Sequence, residues 1–204
     1  MSISITLHRS GTSRTQQVDT TTTGLDLFGS DRAVVAMRVD GNLVDLQREL
    51  HDGAEVEPVE ATSEDGLNII RHSATHVMAQ AVQQLYPEVN LGIGPFITDG
   101  FYYDFGNIEP VTPEVLSEFE KRMKRIVKEN QRFVRRVTTE ESAREELADQ
   151  PYKLELIGTK GKGAEGASVE VGGGELTIYD NVRRNGEVAW KDLCRGPHVP
   201  STKY

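Results

Sequence analysis

"GLNIIRHSATHVMAQAVQQLYP", residues 66–87, decides how the rest of the chain is read. Leu67, Ile70, Ala74, Val77, Met78, Ala81, Val82 and Leu85 recur at steps of three and four, the spacing of one apolar stripe on a helix. That spacing predicts a helix from Gly66 to Leu85, ended by Tyr86-Pro87 because proline cannot continue the ladder. Ser63 or Asp65, in the polar joint 61–65, is placed to cap its start. His72 and His76 fall on a neighbouring face one turn apart, with Cβ atoms roughly 5–6 Å from each other.

Upstream of this helix the pattern is strand and turn. "SISITL" alternates and is β-branched, "SGTSRT" reads as a turn, and "QQVDT" as the returning strand. "TTTGLDLFGS" places hydroxyl caps before a short apolar stretch, as a helix start does. "AVVAMRV", "LVDL" and "DGAEVEPVE" supply further strands, with "DGN" as a turn. Four or five strands around one helix make a small α+β unit of β-grasp, ubiquitin-like type. It is acidic, with 5 Arg or Lys against 10 Asp or Glu over residues 1–60.

Downstream, "LGIGPFITDGFYYDF" reads as a hairpin punctuated by Gly and Pro. "TPEVLSEFEKRMKRIVKENQRF" is the clearest helix, with Thr112 as N-cap, Pro113 in the first position and Glu114 complementing the dipole. "VRRVTT" reads as a strand, "TEESAREELADQ" as a short helix capped by Thr139, and "YKLELI" as a strand or a helix end. The Gly-rich stretch 158–174 matches neither GxGxxG before a helix nor GxxxxGK[ST], so it reads as a loop rather than a phosphate cradle. "ELTIYDNVRRNGEVAWKDLC" reads as a hairpin with Asn185-Gly186 as a two-residue turn. Alternation in its second strand puts Val188, Trp190, Asp192 and Cys194 on one face.

Two of the stretches carry chemistry. "RHSATH", residues 71–76, spaces His72 and His76 by four, and "CRGPH", residues 194–198, spaces Cys194 and His198 by four. Side-chain types alone fit tetrahedral zinc. A histidine pair one helical turn apart is also common as a satisfied or exposed pair, and CRGPH is also an ordinary surface turn. "HSATH" lacks the glutamate of HExxH, which removes the general base of a zinc protease. The 204 residues hold a single cysteine, so no intrachain disulfide forms and Cys194 is a free thiol suited to a reducing, cytoplasmic setting. No signal peptide and no run of 18 or more apolar residues is seen, so no membrane span is expected. The net charge of −9 is the wrong sign for a general nucleic-acid coat. Contact with nucleic acid would need a local patch. The helix around residues 121–136 offers Lys121, Arg122, Lys124, Arg125 and Lys128, followed by Arg132, Arg135 and Arg136, either as a phosphate-contacting surface or as a solvated face.

The sequence resembles the N-terminal part of the bacterial threonyl-tRNA synthetase family. The matching stretches are "VDGNLVDLQRELHDGAEVE", "LNIIRHSATHVMAQAVQQLYP", "IGPFITDGFYYDF", "KRMKRIVKEN", "YKLELI" and "DLCRGPHVPST", in family order. The resemblance implies a β-grasp TGS domain over 1–61 and, over 62–204, a tRNA-editing domain with a helix packed on an antiparallel sheet. It also implies a fragment without the class II aminoacylation core, acting as a monomer although its parent is a homodimer. The implied activity is hydrolysis of the seryl ester at the 3′ end of mischarged Ser-tRNA(Thr). A second hydrolytic sieve makes physical sense, because a missing methyl is worth only about 1–3 kcal/mol of discrimination in a pocket. By motif, the resemblance carries over His72, His76, Lys153, Cys194 and His198 as catalytic, and Tyr103 and Asp192 as substrate-binding. It implies a site working without metal in the threonyl family, whereas the alanyl relatives bind zinc through the same four residues.

Overall fold

The computed structural model describes residues 1–159 and 175–204. It is a mixed α+β chain dividing into two compact units: Met1–Ile70 with Pro197–Pro200 and Tyr204, and Arg71–Gly196 with Ser201–Lys203. The Gly-rich stretch lies outside the described residues from position 160 to 174.

The first unit is built on a five-stranded sheet in the order β2-β1-β5-β3-β4. Its strands are β1 (Ser2–Arg9), β2 (Thr12–Asp19), β3 (Val34–Val39), β4 (Asn42–Val44) and β5 (Glu55–Glu60), with β1 parallel to β5 and the other neighbours antiparallel. The first turn is tighter than the sequence suggests. Ser10 and Gly11 alone connect Arg9 to Thr12, both at positive φ (51° and 76°), the geometry that matches strand twist in a two-residue hairpin. The short helix α1 (Gly24–Phe28) starts where expected: the Asp26 carboxylate accepts both the N–H and the hydroxyl of Thr23. Ile3, Ile5, Phe28, Met37, Leu46 and Val56 form the core.

Helix α2 (Glu64–Leu85) starts two residues earlier than its apolar spacing indicates, with Ser63 Oγ accepting the Gly66 N–H. Its buried face also differs from the expected stripe. Leu67 is 41% exposed and Met78 only half-buried, whereas His72, Ser73, Thr75, His76 and Gln80 are buried. The polar face is inside because its groups find partners: Thr75 donates to the His72 carbonyl, and Asn181 donates to Gln80.

The second unit's main sheet is antiparallel, in the order β10-β11-β12, from β10 (Arg132–Thr138), β11 (Leu176–Val182) and β12 (Val188–Leu193). Two small ladders, β6 (Asn90–Leu91) with β9 (Phe105–Gly106) and β7 (Phe96–Ile97) with β8 (Gly100–Phe101), replace the single expected hairpin. Helix α3 (Pro113–Glu129) has Thr112 as N-cap and stops at Asn130, whose φ of 52° ends it. Arg132, Arg135 and Arg136 therefore lie on β10, not on the helix. Helices α4 (Glu140–Glu146), capped by Thr139, and α5 (Pro151–Thr159) follow, so "YKLELI" is helical. The last hairpin is not a two-residue turn. Arg183 and Glu187 pair across Arg184-Asn185-Gly186, and only Gly186 is left-handed, at φ 88°. That is the three-residue loop closed by a left-handed glycine.

Candidate functional site

Strand β12 and helix α2 build the centre of the site. Trp190 and Asp192 are buried on β12 and Cys194 directly follows it, while Val188 at the strand's start is half exposed. Cys194 is anchored through its backbone: its N–H donates to the Thr177 carbonyl, and its own carbonyl accepts the Thr177 hydroxyl at 2.5 Å. This brings the thiol to 3.1 Å from His72 Nε2. His76, one turn along α2, is enclosed by rings, 5.2 Å from Trp190 and 6.2 Å from Phe133 between centroids.

A second polar cluster sits on the same strand. The Lys153 ammonium, on α5, lies 3.0 Å from Asp192 Oδ1, and both side chains have no exposed surface. The Tyr103 hydroxyl donates to Asp192 Oδ2 at 2.6 Å, and Lys153 donates to the same oxygen at 3.1 Å. Burial pushes the Asp192 carboxyl above its ordinary value, against Lys153 and Tyr103, which favour the carboxylate. Burial also pushes the His72 imidazole down to about 4, opposed by a backbone hydrogen bond with Gly94 and reinforced by the Lys153 charge. His76 is held well below its ordinary value by burial, then by His72 and Lys153. Both rings are neutral at neutral pH, so each keeps one ring nitrogen as an acceptor, and His72 Nε2 accepts the thiol proton in the tautomer protonated at Nδ1.

His198 lies in the segment grouped with the first unit, where its backbone N–H donates to Asp45 at 2.7 Å. His72, His76 and Cys194, all in the second unit, each offer one ligand atom, and these atoms lie within 4.8 Å of one another. Ligands sharing one tetrahedral zinc stand roughly 3.5 Å apart, given bond lengths near 2.0–2.3 Å. The donor set therefore fits zinc in type and needs only small adjustments in spacing.

The basic residues read from sequence are on α3. Lys121, Lys124, Arg125 and Lys128 are exposed and Arg122 is half-buried. Lys121 and Lys124 are already paired with Glu118 and Glu120 on their own helix. They take no part in the histidine–cysteine contacts. A groove of about 610 Å³ in the first unit, lined by His8, Arg9, Arg38, Glu60 and Asp65 among others, contains none of the candidate residues. Sequence reading missed Thr75 and Gly94, which touch His72, and Thr177, which anchors Cys194. Thr75 lies inside "HSATH" and Gly94 inside "GIGPF", but nothing local marks either as a partner of His72.

An α+β chain with a buried histidine–cysteine pair beside a buried Lys–Asp–Tyr network is the class of protein that the fold and the site define. No protein-family model matches the chain. Curated relatives do. It is 59% identical over 204 residues to the threonine–tRNA ligase of Streptomyces avermitilis, covering 98% of this chain and 31% of the relative. It is 62% identical over 190 residues to that of Streptomyces griseus (92% and 29%), and 54% identical over 190 residues to that of Bifidobacterium longum (93% and 28%). The chain belongs to the threonine–tRNA ligase family, and it spans about 30% of the length of these relatives.

Proposed function

We propose that this chain is the proofreading part of a threonine–tRNA ligase and hydrolyses the ester of mischarged Ser-tRNA(Thr). In this reading, residues 1–61 form the β-grasp TGS domain and 62–204 the editing domain. The observation that carries the reading is β12: it delivers Cys194 to His72 and Asp192 to Lys153 and Tyr103. Ester hydrolysis needs a positioned water, a proton acceptor and a charge to stabilise the developing oxyanion. Neutral His72 and the Cys194 thiol hold and polarise the water. Lys153, ion-paired with Asp192, is suited to stabilising charge. Asp192 and His198 hold the seryl amino group or the terminal ribose, Tyr103 lines the pocket, and His76 completes the catalytic set. The 3′ end of tRNA(Thr) is the partner, with Lys121, Arg122, Lys124, Arg125 and Lys128 contributing weak backbone contacts. The segment acts as a monomer in the cytoplasm.

The reading is of a metal-free site, because the Lys153 charge felt by both imidazoles opposes a dication beside them. A second reading is favoured by the grouping of His72, His76 and Cys194, which with His198 of the same sequence motif would hold zinc. Zinc there would supply a water of lowered pKa. The deciding experiment measures deacylation of Ser-tRNA(Thr) beside Thr-tRNA(Thr), with and without a chelator. Fast, serine-selective, chelator-insensitive hydrolysis that is lost in His72→Ala and Cys194→Ala is expected. Loss of activity with chelator would favour zinc. Salt-sensitive tRNA binding with no hydrolysis would leave only an RNA-binding module.

A further inference from the structure

The Cys194 thiol receives a second contact that the proposed chemistry does not use. The Gly196 N–H donates to Sγ at 3.2 Å. Gly196 is left-handed at φ 72°, and a Cβ there would lie 2.0 Å from the Tyr179 hydroxyl oxygen and 2.5 Å from Cζ. Tyr179 is fully buried on β11, directly opposite Asp192 in the ladder. Its phenol therefore occupies the place a side chain at 196 would need, and the turn after Cys194 is seated on it. The His72 side is built in the same way: a Cβ at Gly94 would lie 2.4 Å from the Tyr103 ring, and the Gly94 backbone is hydrogen-bonded to His72.

We propose that Tyr179 is a positioning residue that acts through Gly196: it seats the Gly196 N–H on Cys194 Sγ, so that the S–H proton is directed to His72 Nε2. A thiol has one proton to donate. An N–H donor on one side of sulfur leaves that proton for the acceptor on the other. The Gly94 backbone is hydrogen-bonded to His72, and with Nδ1–H as the donor there, Nε2 is left as the acceptor. The proposal adds to the editing reading and rests on it for its kinetic consequence alone.

Cys194 is the only cysteine in the chain, so the S–H stretching band in the Raman spectrum reports this one thiol. The wild-type 204-residue chain should show a hydrogen-bonded S–H band and a Gly196 amide protected from exchange. Tyr179→Phe should move the band toward the free-thiol position. It should also lower kcat for Ser-tRNA(Thr) roughly ten- to a hundredfold with KM unchanged. A residue that merely fills the core would lower the melting temperature and leave the band in place. An unshifted band in Tyr179→Phe, an unprotected Gly196 amide or the absence of an S–H band in wild type would each overturn the proposal. The amide measurement needs no variant and decides the matter even where the variant fails to fold. A shifted band in a chain with no deacylase activity in wild type would uphold the positioning and reject the editing reading.

Discussion

His72 and His76 have a measurable consequence as single residues. An unfolded histidine titrates near 6.5, while the folded His72 ring is held near 4 by burial. Between those values the unfolded chain binds a proton that the fold refuses, so stability falls as pH drops from about 6.5 to about 4. The loss from His72 is on the order of 3 kcal/mol, and His76 adds to it in the same sense. Exposed His51, raised by its bonds to the Asp52 backbone and Asp40, acts in the opposite direction. Carboxylates such as Glu146, held near 2 chiefly by Arg136, lose their contribution only below about 4.5, which separates the two windows. Urea melts of metal-free protein from pH 7.5 to 4.5 would show the slope, and a flat profile would refute neutral buried rings. Asp192 supplies a second test. Asp192→Ala strands a fully buried ammonium and should cost about 3–5 kcal/mol. Pairing Asp192→Leu with Lys153→Met removes both charges and should recover most of that loss. Equal melts for the single and double variants would show that the two charges do not depend on each other.

Elements differ in how openly the sequence announces them. The start of helix α3 was legible because Thr112, Pro113 and its apolar spacing are local signals. Its end was not, since Asn130 is an unremarkable residue until it takes a left-handed conformation. The last hairpin was legible as a hairpin but not in loop length, because Asn-Gly serves both the two-residue turn and the three-residue loop. Helix α2 was legible in extent, and Val77, Ala81 and Val82 of its stripe are buried as expected, but Leu67 is exposed and the face that carries the histidines is buried as well. The neighbouring polar face is buried along with the apolar stripe, because its partners Cys194 and Asn181 come from distant parts of the chain. The same helix carries a close approach no spacing rule reports: a Cβ at Gly66 would lie 2.0 Å from the Glu60 carbonyl oxygen. Backbone cannot move aside as a flexible side chain does. Gly66→Ala should therefore destabilise by about 1–3 kcal/mol, and an unchanged denaturation midpoint would show that the β5–α2 joint can give way.

At the scale of the whole molecule, charge and burial act together. The net charge is −9 at neutral pH and the isoelectric point about 5.1, so repulsion between copies vanishes near pH 5. That is inside the window in which the buried imidazoles weaken the fold. Light scattering should rise sharply around pH 5 and stay low at pH 7.5, and a clear solution throughout would contradict this. Among the described residues no helix is long and apolar enough to cross a membrane, in keeping with the composition. The sequence by itself determined the helices with strong caps, the strand-rich first 60 residues, the family and the residue types at the candidate site. Those are carried by spacing and motif, which act over a few neighbours along the chain. Only the tertiary structure decided that His72 meets Cys194 across 122 residues, that Asp192 closes on Lys153 and Tyr103, and which face of α2 is inside. Such contacts depend on where β12 is laid down by its pairing with β11, and burial there, rather than residue type, sets which proton each group holds.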